Sequence, residues 1–191
     1  MVITSKTNGC PRRVIDFTPV NKNAPRQLHH TKSPYNIVMN VPGNTVKTVL
    51  DNWHGYHSVS IHPDDKHLTT FITPYGRYRY KTVPQGFICA GDAYTQRMDI
   101  IVEGTPNFDH CVDDSILWDN SIMENFFRVC QFIEKCSLAG CVFNPQKFQF
   151  GQDTVDYLGF TITRGGVRPT AKFVQCIEDF PEPKSLTDVR S

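Results

Sequence analysis

His110-Cys111-Val112-Asp113-Asp114-Ser115-Ile116-Leu117-Trp118 sets two adjacent acids between apolar arms. Short apolar arms flanking such a tip read as two strands joined in a hairpin. The arms favour burial, and an unneutralised carboxylate resists it. Either the tip is a solvated turn, or a cation neutralises the pair. Adjacent strand residues face opposite ways, yet at a tight turn both can reach one metal region. The other acidic pair, Asp64-Asp65, follows Pro63 among polar neighbours and reads as a solvated turn.

Upstream, Val46, Val49 and Leu50 form an apolar run ending at Asp51, a strand with its carboxylate at the C-terminal end. A third acid on a neighbouring strand would complete an oxygen cage for hard divalent cations. Two such ions, roughly 3.5–4 Å apart, activate an attacking oxygen and stabilise a leaving pyrophosphate. That is phosphoryl-transfer chemistry, in which the protein mainly positions groups and neutralises charge.

Farther out, Val59 and Ile61 suggest a short strand closed by the His62-Pro63-Asp64-Asp65 turn. Alternation from Gly76 puts Arg77, Arg79 and Lys81 on one strand face and Tyr78, Tyr80 and Thr82 on the other. A helix is expected over about Ala90 to Val102, with Tyr94, Met98, Ile101 and Val102 as its apolar stripe. Ser121 and Glu124 form a capping box for a second helix. Ile122, Phe126, Cys130 and Ile133 recur along it, and Gly140 stops it. Phe126, Phe127, Phe132 and Ile133 are assigned to core by that periodicity. Strands follow from Phe148 to Thr163, with a tight turn at Arg164-Gly165-Gly166-Val167. A last helix starts near Thr170 and meets Pro181 and Pro183. The first 45 residues read as irregular or short extended pieces. Hairpins mixed with crossing helices predict an α+β fold around a mainly antiparallel sheet.

Composition sets limits. With 191 residues the chain suits one domain or a tightly joined pair, and 13 Phe, 7 Tyr and 2 Trp are enough bulk for a core. Twenty Lys and Arg against 19 Asp and Glu leave +1, which excludes a globally basic nucleic-acid coat. Local basic clusters, Arg12 to Lys32 and Arg77 to Lys81, fit a partner held in a groove. No run approaches a membrane span, and the start lacks a signal peptide's apolar core. Seven cysteines without a close pair are expected to be reduced, mostly buried thiols. The seven histidines lack helical metal spacing, which argues against structural zinc.

These motifs fall in an order that resembles the reverse transcriptases of gypsy-like long-terminal-repeat retrotransposons. Leu50-Asp51 with Gly55-Tyr56-His57 resembles the first catalytic motif. Phe71-x-Thr73-Pro74-x-Gly76-x-x-x-Tyr80 and Val83-Pro84-Gln85-Gly86-Phe87 resemble the next block. Cys111-Val112-Asp113-Asp114 is similar to the Tyr-x-Asp-Asp box, with Cys111 in place of the usual aromatic. Tyr157-Leu158-Gly159-Phe160 with Gly166-Val167-x-Pro169 resembles the primer-side hairpin, and Arg12 through Asp16 with Asn21-Lys22 the entry to the fingers. Ile88-Cys89-Ala90-Gly91-Asp92 departs from the usual Leu-x-Asn-Ala-Pro stretch.

The resemblance implies a polymerase right-hand palm with partial fingers and no thumb. Residues 1–45 would be part of the fingers, 46–169 the palm with a further fingers segment (about 62–90) inserted, and 170–191 the start of the link to a thumb. It implies RNA-directed DNA polymerase activity with two Mg²⁺ ions, Mn²⁺ able to substitute. Asp51, Asp113 and Asp114 would be the catalytic and metal-binding triad, with Asp51 and Asp113 the direct ligands. Arg12 and Lys6 would meet the deoxynucleoside triphosphate, although both also read as exposed cations. Tyr56 would exclude a ribose 2′-hydroxyl, or be an ordinary half-buried tyrosine. Gln85 would reach sugar or template, and Lys147 would protonate pyrophosphate. Arg77, Arg79 and Lys81, unless merely solvated, would line the nucleic-acid groove together with Val112. Partners would be an RNA or DNA template with primer, and a polyprotein remainder carrying thumb, ribonuclease H and integrase, with no membrane. The setting would be intracellular, in a cytoplasmic virus-like particle. Two competing classes are a catalytically inactive retroelement-derived nucleic-acid-binding fragment and a metal nuclease using the same acids. A nuclease has no need of the Tyr56 and Pro84-Gln85-Gly86 context.

Overall fold

The computed structural model describes residues 2–5, 9, 11–26, 28–53 and 55–180, with 2–5 and 11–14 as backbone only. The N-terminal part holds β1 (Val2–Ser5), β2 (Pro11–Val14), α1 (Thr18–Asn21) and α2 (Pro34–Asn40). Next come β3 (Val46–Asp51), β4 (Phe71–Thr73), β5 (Gly76–Tyr78) and α3 (Ala90–Val102). The acidic hairpin is β6 (Phe108–Cys111) and β7 (Asp114–Asp119), followed by α4 (Ile122–Leu138). Then β8 (Gln149–Gln152), β9 (Val155–Tyr157), β10 (Phe160–Thr163), β11 (Gly166–Pro169) and α5 (Ala171–Glu178) complete the order. The fold is α+β with antiparallel sheets.

Its centre is a four-stranded antiparallel sheet in the order β6-β7-β3-β8. Alternation sends neighbouring side chains of β3 and β7 to opposite faces. Leu50 and Leu117 enter a cluster with Tyr94, Met98, Val129, Phe132 and Cys136 beneath α3 and α4. Val49 and Ile116 enter a second cluster with Ile37, Val38, Val155, Tyr157 and Ile162, under α2 and the β11-β10-β9 sheet. Both faces are therefore covered, and each fully buried Leu or Ile contributes about 1.5–3 kcal/mol of transfer free energy. Lys47 sits in β3 at 0% exposure. Its ammonium donates to the carbonyls of Thr45 (2.7 Å), Gly43 (3.0 Å) and Asp153 (3.2 Å), and burial holds its pKa below the usual lysine range.

α3 has the predicted bounds, and Tyr94, Met98 and Val102 are its buried stripe with Ile101 half-buried. Ser121 Oγ accepts from the Glu124 N–H as the α4 cap. At the other end Gly140 takes φ 80° and Cys141 N–H closes on the Cys136 carbonyl at 2.9 Å, the hydrogen bond of a Schellman stop.

Several expectations need correction. Among the described residues of the first 45 are two helices, α1 and α2, each with proline in its first turn, where the missing N–H is harmless. Val59 and Ile61 form no strand, only a bridge from Ser60 to Thr82. The acidic turn after Pro63 extends into a 3-10 helix over Pro63–Thr69, stabilised by Thr69 and Thr70 hydroxyls bonding back to the chain. β5 ends at Tyr78, so Arg79 and Lys81 lie beyond it. On α4 the buried side is Asn125, Val129, Phe132 and Cys136, while Ile122, Phe126, Phe127 and Cys130 are exposed. Asn125 decides this: it accepts from Thr48 Oγ at 2.5 Å and donates to Asp119 at 3.2 Å, which turns the other apolar stripe outward. Of the cysteines described, only Cys136 and Cys141 are buried; all six are free.

Candidate active site

β3 and β7 pair with Asp51 opposite Asp114, and β6 and β7 with Cys111 opposite Asp114. Val112 and Asp113 are thus the two residues of the hairpin loop. Val112 takes φ 52°, a left-handed conformation that strains a β-branched residue by about 1–2 kcal/mol. Directly opposed residues share a face, so the Asp51 and Asp114 carboxyls lie on the side of β9 and β10. Their cleft, about 300 Å³, is also lined by Lys147, Tyr157 and Leu158. Two backbone bonds and one side-chain bond brace it: Asn52 N–H to the Asp113 carbonyl (2.8 Å), Asn144 N–H to the Asp51 carbonyl (2.8 Å), and the Tyr157 hydroxyl to the Asp114 carbonyl (2.9 Å).

Asp113 turns the other way, toward α3. Its Oδ1 is buried without a hydrogen-bond partner, against Gly55 and the ring of Tyr94. Burial first, and then the Asp51 charge, pushes its pKa up to about 6. Asp114 is likewise raised to about 6 by burial, by the Asp51 charge and by a hydrogen bond shared with Asp51. The Lys147 ammonium, delivered by a 3-10 turn over Pro145–Lys147, stands 2.6 Å from Asp51 Oδ2. That bond raises the lysine pKa and keeps it charged.

Three crowded carboxylates, one with an orphaned buried oxygen, have the donor chemistry of a hard divalent cation and gain from its charge. Among the described residues the side chains do not stand as a finished metal cage. Lys147 occupies Asp51, and Asp113 Oδ1 packs against Gly55 and the Tyr94 ring. Asp51, Asp113 and Asp114 would therefore have to close on an ion that displaces the lysine.

The sequence-predicted residues divide into two groups. Asp51, Asp113, Asp114 and Lys147 come together, and Tyr56 joins them through its ring, edge-on to Tyr94 at 5.7 Å. Tyr56 is half-buried, and burial followed by the Asp113 charge raises its pKa. Val112 caps the acidic hairpin. Gln85 is exposed in the turn before Phe87, with Asn21 holding the Gly86 carbonyl at 2.9 Å. Arg77, Arg79 and Lys81 are exposed and in no salt bridge among the described residues. Arg12 lies in β2, its side chain outside what the structure describes; Lys6 lies outside the described residues altogether. Sequence reasoning placed Tyr94 in the core and overlooked Asn52. The available signal was a hydroxyl on a buried stripe, which must find a partner.

A family model for reverse transcriptase (RNA-dependent DNA polymerase) matches residues 10–162, and the chain belongs to that family. It is 28% identical over 186 residues to the Pro-Pol polyprotein of feline foamy virus, covering 97% of this chain and 16% of that one. It is 25% identical over 193 residues to the transposon Tf2-3 polyprotein of Schizosaccharomyces pombe, covering all of this chain and 14% of the relative. The chain thus spans about a sixth of these retroelement polyproteins. Among solved structures, a foamy viral protease-reverse transcriptase in complex with double-stranded DNA superposes with a TM-score of 0.92 at 23% identity, over 98% of this chain and 33% of that one. The native prototype foamy virus protease-reverse transcriptase gives 0.76 at 27% identity, over 88% and 22%.

Proposed function

We propose that the chain is the fingers–palm part of a reverse transcriptase that adds deoxynucleotides to a primer 3′-hydroxyl, copying an RNA or DNA template. The observation that carries this reading is the convergence of Asp51, Asp113 and Asp114 at one sheet end, with the Lys147 ammonium 2.6 Å from Asp51. Residues 1–45 supply part of the fingers, 46–169 the palm with the segment at about 62–90 inserted, and 170–191 the start of a link toward a thumb.

Two Mg²⁺ ions, or Mn²⁺ in their place, would supply Lewis-acid charge neutralisation when bound. Asp51, Asp113 and Asp114 would hold them, with Asp51 and Asp113 as the direct ligands. Lys147, charged beside Asp51 in the metal-free chain and released when an ion takes that acid, would give a proton to the departing pyrophosphate. Tyr56 walls the sugar and leaves no room for a 2′-hydroxyl. Arg12 and Lys6 take the triphosphate, Gln85 the sugar or template. Arg77, Arg79, Lys81 and Val112 meet the template–primer, where phosphate contacts position without reading sequence. Foamy viral relatives solved with double-stranded DNA and with RNA/DNA hybrid support such a partner. The polyprotein relatives, of which this chain spans about a sixth, support a polyprotein remainder; we propose that it carries thumb, ribonuclease H and integrase, and we place the assembly in a cytoplasmic virus-like particle. Among the described residues no helix is long and apolar enough to cross a membrane.

Primer extension on poly(rA)/oligo(dT) with Mg²⁺ or Mn²⁺ tests the reading. Asp51→Asn, Asp113→Asn and Asp114→Asn should each lower extension by about 10²–10³-fold or more with circular dichroism unchanged. Asp64→Asn, at an exposed acid, should stay near wild type. Equal losses at Asp64 and Asp113 reject the assignment, and no extension by the wild type leaves only a nucleic-acid-binding fragment.

A further inference from the structure

Tyr94 lies on α3, outside the acidic hairpin, and is 1% exposed. A phenol hydroxyl at that depth needs partners on both its acceptor and donor sides. Its acceptor side takes a proton of Asn52 Nδ2 at 2.5 Å. Beside the ring carbon that bears the hydroxyl stands the Asp113 carboxyl, its Oδ1 buried without a hydrogen-bond partner. Asn52 also gives its peptide N–H to the Asp113 carbonyl, so one residue braces both the acid's backbone and the phenol beside its side chain. Gly55 completes the enclosure. A Cβ there would fall on Asp113 Oδ1 and lie 2.6 Å from Tyr94 Cζ, so only glycine lets carboxyl, ring and backbone stand this close. The same ring meets Tyr56 edge-on. One buried side chain therefore touches both a proposed metal-binding acid and the proposed sugar gate, through different atoms.

We infer that Tyr94 is a positioning residue of the site: its hydroxyl holds the Asp113 carboxyl in a seat made with Asn52 and Gly55, while its ring supports Tyr56. The inference rests on the polymerase reading of the three acids. Losing a neighbouring group that orients a metal-binding carboxylate costs roughly 10–100-fold in metal affinity. Tyr94→Phe deletes the hydroxyl and keeps the ring, which separates the two duties.

The probe is Mn²⁺, its bound and unbound fractions read by electron paramagnetic resonance on the full 191-residue chain. Tyr94→Phe should raise the Mn²⁺ dissociation constant about tenfold, with circular dichroism and the ratio of deoxy- to ribonucleotide incorporation unchanged. Gly55→Ala should weaken Mn²⁺ binding by a separate route, pushing the carboxyl off its seat. Wild-type Mn²⁺ affinity in both variants overturns the inference and leaves the polymerase reading standing. A shifted sugar ratio in Tyr94→Phe overturns the division of duties between hydroxyl and ring. A wild-type chain that binds no Mn²⁺ overturns the metal reading of the acids, and the inference with it.

Discussion

Asp113 ties the stability of the metal-free chain to pH. A carboxyl whose folded pKa of about 6 exceeds its ordinary 3.8 binds a proton more tightly folded than unfolded. Its stabilising contribution is complete below about pH 4 and is lost as the pH rises through about 6. Asp114, raised to about 6 as well, acts in the same direction. Other acids oppose them: Asp92, held low by the Arg26 and His29 hydrogen bonds, loses its contribution as the pH falls. The informative quantity is therefore the difference between wild type and Asp113→Asn. In chelator, wild-type Tm should fall relative to the variant between pH 4.5 and 7, on the order of 1–3 kcal/mol or several degrees. Parallel thermal profiles would show that Asp113 titrates normally. Val112 illustrates a second residue-scale constraint, since the loop that presents the acid also holds a β-branched residue at φ 52°.

At the scale of elements, α4 is oriented by polar groups as much as by apolar ones. Its cap was legible because Ser121 and Glu124 are three residues apart and the bond is local. Its buried side was not, because two apolar stripes run along it and periodicity fits both. Asn125, at 0% exposure, breaks the tie by joining Thr48 of β3 to Asp119 of β7. Asn125→Ala should cost about 2–4 kcal/mol in urea unfolding, because two buried polar groups lose a partner. Ser121→Ala should cost only about 1 kcal/mol. An Asn125→Ala loss no larger than that of Ser121→Ala would assign the orientation of α4 to Val129 and Phe132 instead.

For the whole molecule, a net charge of +1 supplies no long-range attraction for a polyanion. Any hold on the proposed template–primer would then come from local cations, and Arg77, Arg79 and Lys81 are exposed on or just beyond β5. Each neutralisation, Arg77→Ala for example, should lower the slope of log affinity against log salt by about one for a template–primer. Mn²⁺ affinity should not change, because none of the three is paired with the acids. A slope identical to wild type would place the groove elsewhere. The N-terminal part is fastened to α3 and β6 by Arg26–Asp92 (3.1 Å), His29–Asp99 (2.6 Å) and Lys32–Asp109 (2.8 Å), pairs that bridge 66 to 77 residues of chain.

The sequence by itself determined what neighbours decide: the acidic hairpin, the bounds of α3, the cap and stop of α4, and the β10–β11 turn. Each rests on capping, turn chemistry or alternation within a few residues. Only the tertiary structure decided that Asp51 lies opposite Asp114, that Lys147 reaches Asp51 across 96 residues, and that Asp113 packs beside Gly55 and Tyr94. It also decided which stripe of α4 is covered. The physical reason is that strand order and facing side depend on closing long loops onto a sheet buried on both faces. Along β3 and β7 that burial erases the alternation between polar and apolar residues that would have marked inside from outside.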